Sequence, residues 1–297
     1  MNLYHLRVFQ TVAEHEHITR ASEELILSQP AVTKIIQSLE HETGLELIER
    51  HGRRIVLTHA GHVLQNYARR MFALEREMEE ALAVLQEVEA GEIKLAANTT
   101  TGVYLLPPIV SHYRILYPQV SLHITILNSH EIIEQTLNWT LDFGLVEGDP
   151  STLPPGLHVE VFAQDELVLV VSPDHPWSKL DELNPATLRE GELLLREQGS
   201  GIREVIEHAL LLHNIQVHPL FTLPDNEAIK QMVMSGVGAA IVSALAVQRE
   251  LVSGDLMRIP IAGVDLRPQL SLVRRTDKQL SRAAQAFCAL LQPYGDR

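Results

Sequence analysis

The 297-residue sequence predicts an α/β protein made of an N-terminal winged helix-turn-helix, a long dimerisation helix and a two-lobed α/β body. Three observations carry that prediction. Three short helical patterns and an arginine-bearing turn fill the first 58 residues. An apolar repeat then runs from Thr58 to Glu89 without a proline. From residue 92 the pattern changes to alternating strands and helices. The expected domains are 1–58, a linker helix and hinge over 59–91, and a body over 92–297.

In the head, Leu3, Leu6, Phe9 and Val12 recur three apart, the spacing of an amphipathic helix. His17 interrupts the pattern, and Ile18–Leu25 reads as a second helix. Ser28 is a good N-cap for a third, because its hydroxyl can accept an otherwise unpartnered backbone N–H, and Pro30 suits the first turn. Ala31, Val32, Ile35, Ile36 and Leu39 then face a core, while Gln29, Thr33, Lys34 and Gln37 point away. Gly44 ends the helix. Two helices joined by a tight turn, the second opening with exposed Gln, Thr and Lys, can offer hydrogen bonds to base edges in a major groove. Gly52 then separates two short extended pieces, which puts Arg53 and Arg54 at a hairpin tip suited to phosphate contact or a narrow minor groove.

In the linker, Leu64, Tyr67, Met71, Leu74, Met78, Ala81, Leu85 and Val88 alternate spacings of three and four, a heptad seam for a partner helix. A homodimer through 59–89 follows, with two heads on one axis reading two half-sites. At ~1.5 Å per residue the helix spans roughly 45 Å. Ala90-Gly91 is read as the hinge.

The body divides into a first lobe of about 92–162 and 267–297 and a second of about 163–266, each expected to hold mostly parallel strands. The expected strands are Ile93–Ala97, Val120–Leu127, Leu141–Val146, Glu166–Val171, Glu192–Arg196, Val217–Thr222, Ala239–Val242 and Leu270–Arg274. The expected helices are Val103–Tyr117, Ile132–Asn138, Ile202–His213, Glu227–Ser235 and Arg282–Leu291. Two such lobes hold ligands between them at the carboxyl ends of their strands. Thr99, Thr100 and Thr101 follow one strand and open a helix, and Gln198, Ser200, Gly201 and Arg203 do so in the other lobe. Ser129 and Asn226 complete the candidate set. Hydroxyls and free N–H groups at helix starts favour a small anion, and Arg203 adds a charge. The competing reading is that these hydroxyls merely cap their helices.

The head resembles the DNA-binding domain of LysR-type transcriptional regulators. The matching runs are Ala21-Ser22-Glu23-Glu24-Leu25, Leu27-Ser28-Gln29-Pro30-Ala31-Val32-Thr33, Ile36-Gln37-Ser38-Leu39-Glu40, Thr43-Gly44-Leu45-Glu46-Leu47 and Leu57-Thr58-His59-Ala60-Gly61. Ile48 stands where the family usually has Phe. The resemblance implies a helix-turn-helix over 18–37. The body is similar to the family's periplasmic-binding-protein-like effector domain through Leu105-Leu106-Pro107, Tyr117-Pro118, Leu141–Gly148 and Gly236-Val237-Gly238. The three threonines with Gly199-Ser200-Gly201 look closest to members controlling carbon-fixation or sulfur-assimilation genes, which implies a small anionic metabolite as effector. Ile202 stands where relatives often have Thr. The implied partners are double-stranded promoter DNA, the effector, a second copy, a dimer of dimers through the bodies, and RNA polymerase at the promoter.

Composition sets limits on function. A net charge of −14 opposes a nucleic-acid partner at first sight, so local cations must decide. No apolar run approaches the roughly 20 residues of a membrane span, and Met1–Phe9 lacks the apolar core of an export signal. The lone Cys288 excludes an intramolecular disulfide switch. A cytoplasmic location is the expectation. His15 with His17, or His59 with His62, offers two nitrogens but no third ligand, so no metal is expected. No cofactor is expected either, since Gly236-Val237-Gly238 lies between a helix and a strand and lacks a third glycine. No nucleophile elbow or Walker loop supports an enzyme. The alternative reading, a two-lobed solute-binding protein without a regulatory role, would need an export signal and no DNA-binding head.

Overall fold

The computed structural model describes residues 1–51, 54–85, 91–189 and 193–291, and within them all side chains except those of 50, 51, 77 and 79–85. Arg53 and Val88 lie outside the described residues, as do the side chains of Ala81 and Leu85. The chain divides into two compact units, Met1–Leu82 and Ala83–Arg297.

The first unit opens with α1 (Leu3–His15), α2 (Ile18–Glu24) and α3 (Gln29–Thr43). The Ser28 hydroxyl accepts from the Ala31 N–H at 3.4 Å, and Gly44 leaves α3 with φ +68°. Phe9, Val12, Ala21, Val32, Ile36 and Leu39 interlock as the core of the three helices, whereas Leu3 is exposed. Ile48 belongs to the same core. Strands β1 (Ile48–His51) and β2 (Arg54–Leu57) pair antiparallel to form the wing. The Glu40 carboxylate accepts from the Leu47 N–H at 2.9 Å, which ties the start of the wing to α3.

Helix α4 (His59–Leu85) follows, its first turn capped where the Gly61 N–H donates to Thr58 Oγ1 at 3.0 Å. A Cβ on Gly61 would lie 2.1 Å from the Leu47 carbonyl oxygen, so only glycine lets the helix approach the wing this closely. One face of α4 buries Ala68 and Phe72 against Leu6. Tyr67, Met71, Leu74 and Met78 stay exposed. Leu64 departs from the expected seam and packs against the head, while its neighbour Val63 is exposed.

The second unit continues with β3 (Gly91–Ala97), α5 (Leu106–Leu116), β4 (Val120–Ile126), α6 (Ser129–Leu137), β5 (Phe143–Gly148), β6 (Leu157–Gln164), β7 (Leu167–Val171), β8 (Leu193–Arg196), α7 (Gly201–Leu212), β9 (Phe221–Leu223), α8 (Asn226–Met234), β10 (Ala239–Ser243), α9 (Ala244–Ser253), β11 (Met257–Ile259), β12 (Gln269–Arg275) and α10 (Arg282–Ala289). One five-stranded sheet has the order β4-β3-β5-β12-β6 and the other β11-β7-β10-β8-β9.

The sheets are mixed rather than mostly parallel. In the first, β3 pairs parallel with β4 and β5, but β12 is antiparallel to β5 and β6. In the second, β8 pairs parallel with β9 and β10, but β7 is antiparallel to β10 and β11. The antiparallel pairs are made by the strands next to the two crossings between lobes, β6 to β7 and β11 to β12. These crossings lack the helical return that makes neighbours parallel. Thr101–Leu105 is a π-helical turn that runs directly into α5, which begins at Leu106 with Pro107 and Pro108 in its first turn. The strand expected over Val217–Thr222 shrinks to Phe221–Leu223, since Pro219 cannot donate to a ladder.

Candidate functional site

The recognition face is built on α3. Gln29, Pro30, Lys34 and Gln37 are exposed and Thr33 is half-buried. Gln29 is oriented by the preceding helix: its Nε2 donates to Thr19 Oγ1 at 3.0 Å. On the wing, Arg54 is exposed but paired, with its Nη2 2.6 Å and its Nε 3.1 Å from a carboxylate oxygen of Glu16. The Ile55 N–H also donates to the Glu16 carbonyl at 2.9 Å, so the wing is anchored where α1 ends. Arg54 thus pairs with Glu16 at the end of α1 while staying exposed, whereas Arg53 lies outside the described residues.

In the body, the strand ends bring most of the candidate residues together. Thr100, Thr101, Ser129, Ser200, Gly201 and Asn226 are buried, Thr99 and Arg203 are half-buried, and Gln198 is exposed. The capping reading of the hydroxyls is not what the geometry gives. The Thr101 N–H is capped by Asn98 Oδ1 at 2.8 Å, and α6 is capped reciprocally by Asn128 and Glu131. Ser200 makes no side-chain cap to α7. The Thr101 hydroxyl and the Asn226 amide nitrogen are buried without a hydrogen-bond partner, and the buried Thr100 hydroxyl lies against the Glu147 carboxyl. Orphaned donors at the ends of facing strands are what a polar ligand satisfies.

Arg203 does not face this space freely. Its Nε donates to Glu207 at 2.7 Å and its Nη1 to the Arg196 carbonyl at 3.1 Å. The cation of the site is Arg196, at the end of β8 and only 5% exposed. It forks onto Glu197 at 2.8 and 3.0 Å, reaches Asn226 Oδ1 at 3.0 Å, and meets Thr99 Oγ1 of the other lobe at 3.4 Å. Reading the sequence missed it, because Leu193-Leu194-Leu195-Arg196 looks like a strand ending at the surface. Ile202 is buried in the second lobe's core, so the residue there decides packing.

The lobes touch beside this cluster. The His130 N–H donates to the Gly199 carbonyl at 3.1 Å, where Gly199 has φ +83°. A Cβ on Gly201 would lie 1.8 Å from the Glu147 carbonyl oxygen. The floor holds two buried carboxyls, Glu147 and Asp165. Burial and the neighbouring Asp165 push the Glu147 carboxyl well above the usual carboxylate range, and burial also raises Asp165. A separate open cavity of about 520 Å³ lies between the loop after β5, the outer face of α7 and the return crossing. Its Arg267 is already paired with Asp265, and none of the candidate threonines lines it.

With both sites in view, similarity to known proteins decides the family. Residues 3–62 match the bacterial regulatory helix-turn-helix protein model of the lysR family, and residues 86–295 match the LysR substrate binding domain. The chain belongs to the LysR family. This LysR-type protein is a DNA-binding transcription regulator with an effector-binding body, and not an enzyme. The solute-binding reading falls with the match to the head. A probable RuBisCO transcriptional regulator of Thalassiosira pseudonana is 34% identical over 291 residues, 96% of this chain and 95% of that protein. The crystal structure of full-length CbnR with its target DNA superposes with a TM-score of 0.68 at 25% identity, covering 99% of this chain and 100% of that one. The regulatory domain of CcmR from Synechocystis PCC6803, in complex with 2-PG, gives 0.63 at 25% identity over 68% of this chain and 96% of that one.

Among the described residues of this LysR regulator, no helix is long and apolar enough to cross a membrane. Nor do they hold a group of three or more His, Cys, Asp or Glu placed to bind a metal.

Proposed function

We propose that this regulator binds a small anionic metabolite between its lobes, and that the ligand changes how its heads engage a promoter. The observation that carries this reading is the set of buried donors without partners, on Thr101 and Asn226, beside the Thr100 hydroxyl and the Arg196 guanidinium. An anion supplies acceptors to these donors and lies beside a guanidinium held in place by Glu197, Asn226 and Thr99. Support comes from the 2-PG complex of the CcmR regulatory domain and from relatives named as RuBisCO regulators, which make 2-phosphoglycolate the first compound to try. A ligand acts on the heads only through a difference in affinity between two arrangements of the protein.

The assembly we propose is a homodimer through 59–89, with the exposed Tyr67, Met71, Leu74 and Met78 as its seam. The bodies carry further exposed apolar residues, Ile115, Leu116 and Ile124 in one lobe and Leu211, Leu212 and Phe221 in the other, which favour a dimer of dimers. DNA contact is assigned to Gln29, Pro30, Thr33, Lys34, Gln37, Arg53 and Arg54, with RNA polymerase as a further partner at the promoter. The cytoplasm is the compartment where such a protein meets its operator.

Isothermal titration of 2-phosphoglycolate into the protein and into the Thr100→Val/Ser200→Ala double variant tests the ligand site. Binding by the native chain that the variant loses, with operator affinity retained, supports it. Equal binding by both moves the site elsewhere. Sequencing the genomic fragments retained at physiological salt tests the head: enrichment at a few sites with half-sites about one helical turn, or a multiple of it, apart is expected.

A further inference from the structure

The floor of the cleft leaves two oxygens unexplained. Glu147 at the end of β5 and Asp165 in the crossing from β6 to β7 are 4% and 5% exposed, and their carboxyls lie within hydrogen-bond reach of each other. Glu147 Oε2 accepts from Asn98 Nδ2 at 2.9 Å, and Asp165 Oδ1 accepts from the Glu166 N–H at 2.8 Å. The second oxygen of each, Glu147 Oε1 and Asp165 Oδ2, is buried and accepts from no N–H; beside them lie only the other carboxyl and the hydroxyls of Thr100 and Ser243. Two ionised carboxylates side by side out of water repel, and neither can donate to the other. One proton removes both difficulties, because a protonated carboxyl donates to a carboxylate.

We propose that Glu147 and Asp165 share a single proton, carried by Glu147, and that the cleft takes up its anionic ligand only in this protonated state. Asp165 is the accepting partner, since the Glu166 N–H and the Ser243 hydroxyl stabilise its charge. The location gives the proton a mechanical role. The Asp165 N–H donates to the Pro268 carbonyl at 3.0 Å, so the pair sits where the two crossings between lobes run side by side. Loss of the proton leaves two negative charges at the hinge and beneath the anion. The charged and titratable groups nearby are Arg196 and Glu197 on the strand β8 side, Arg203 on α7, His130 on α6, and Glu166, which is paired with Arg258 of β11. Arg196 opposes the effect by favouring an ionised Glu147, but it is shared with Glu197.

The shared proton is testable without a ligand, and its link to binding rests on the function proposed above. A carboxyl whose folded-state pKa is raised stabilises fully below its unfolded value and loses that contribution as pH rises through the folded value. The denaturant midpoint of the wild type should therefore fall relative to Glu147→Gln as pH rises above the ordinary carboxylate range. Parallel profiles would overturn the proposal. If Glu147→Gln does not fold, infrared spectroscopy of the wild type at pH 7 decides. A protonated-carboxyl carbonyl band shifting in deuterium oxide and changed in Asp165→Asn is expected, and absence of that band overturns the proposal. For the linkage, the affinity ratio of wild type to Glu147→Gln for 2-phosphoglycolate should fall up to about tenfold per pH unit above the folded value. A flat ratio overturns the linkage. No binding by the wild type overturns it together with the assignment of this anion to the cleft, while the ligand-free measurements judge the proton separately.

Discussion

Arg196, at the end of β8 in the second lobe, donates from Nη2 to Thr99 Oγ1 in the first lobe at 3.4 Å. The same guanidinium holds Glu197 and Asn226, so one side chain orders its own lobe and reaches the other. A planar fork can satisfy these partners at once, which an ammonium cannot. Arg196→Met should cost about 1–3 kcal/mol of stability, the usual effect of stranding buried polar groups. It should also weaken 2-phosphoglycolate at least tenfold while operator binding persists, and Arg196→Lys should recover only part of either loss. Urea denaturation and titration calorimetry separate the two effects. Unchanged affinity in a folded Arg196→Met protein would remove Arg196 from the site.

Gly201 tests how closely α7 must approach the first lobe. A Cβ there would lie 1.8 Å from the Glu147 carbonyl oxygen and 2.9 Å from Ser129 Oγ. The nearer atom is backbone and cannot swing aside, so Gly201→Ala must push α7 away from the end of β5. We expect a loss of about 1–3 kcal/mol, typical of overpacking, and a larger radius of gyration for the body in small-angle scattering. Native stability and an unchanged radius would contradict the close contact.

The head was largely legible in the sequence because local chemistry sets its boundaries. Ser28 and Gly44 begin and end α3 by capping alone, and the spacing of Phe9, Val12, Val32 and Ile36 already describes their core. The body was legible as two α/β lobes but not as mixed sheets, since strand direction depends on which connections cross between lobes. Strand β6 did leave a signal, the apolar alternation of Leu157, Val159 and Val161, whereas β11 has only three residues to signal anything. The cleft was half legible. Thr100 and Ser200 stand out at helix starts. Arg196, Glu147 and Asp165 end or follow apolar strands, and only the tertiary fold reveals that their charges are buried together.

On the recognition helix, Gln29 and Arg53 should fail in different ways. Gln29→Ala removes a base-edge group held in place by Thr19, so it should cost about 1–3 kcal/mol at the preferred site and relax preference at one base position. Thr19→Val should give a weaker form of the same defect by freeing the Gln29 side chain. Arg53→Ala should weaken binding to all sequences alike and lower the salt slope by about one. Arg54→Ala should act through the wing, because Arg54 is bound to Glu16. Fluorescence anisotropy against operator and scrambled duplexes at several salt concentrations reads all four. An unchanged slope for Arg53→Ala would reject its phosphate role.

The seam on α4 yields the prediction with the widest reach. Leu74 is 64% exposed, between Met71 and Met78 on the face opposite Ala68 and Phe72, which are buried against the head. A charge at Leu74 therefore touches nothing the single head needs, and Leu74→Glu should leave its thermal unfolding within about 0.5 kcal/mol of native. In a dimer the same residue would face a partner helix, and a desolvated carboxylate there would cost several kcal/mol. Sedimentation velocity should accordingly find Leu74→Glu dissociating at concentrations where the native chain is assembled. Operator affinity should then fall by 10²–10⁴, roughly the loss expected when two half-sites are no longer read by joined heads. The control is Val63→Glu, also exposed but beside Leu64, which is packed into the head. A Leu74→Glu protein that stays assembled and binds its operator normally would show that the heads are joined through another surface.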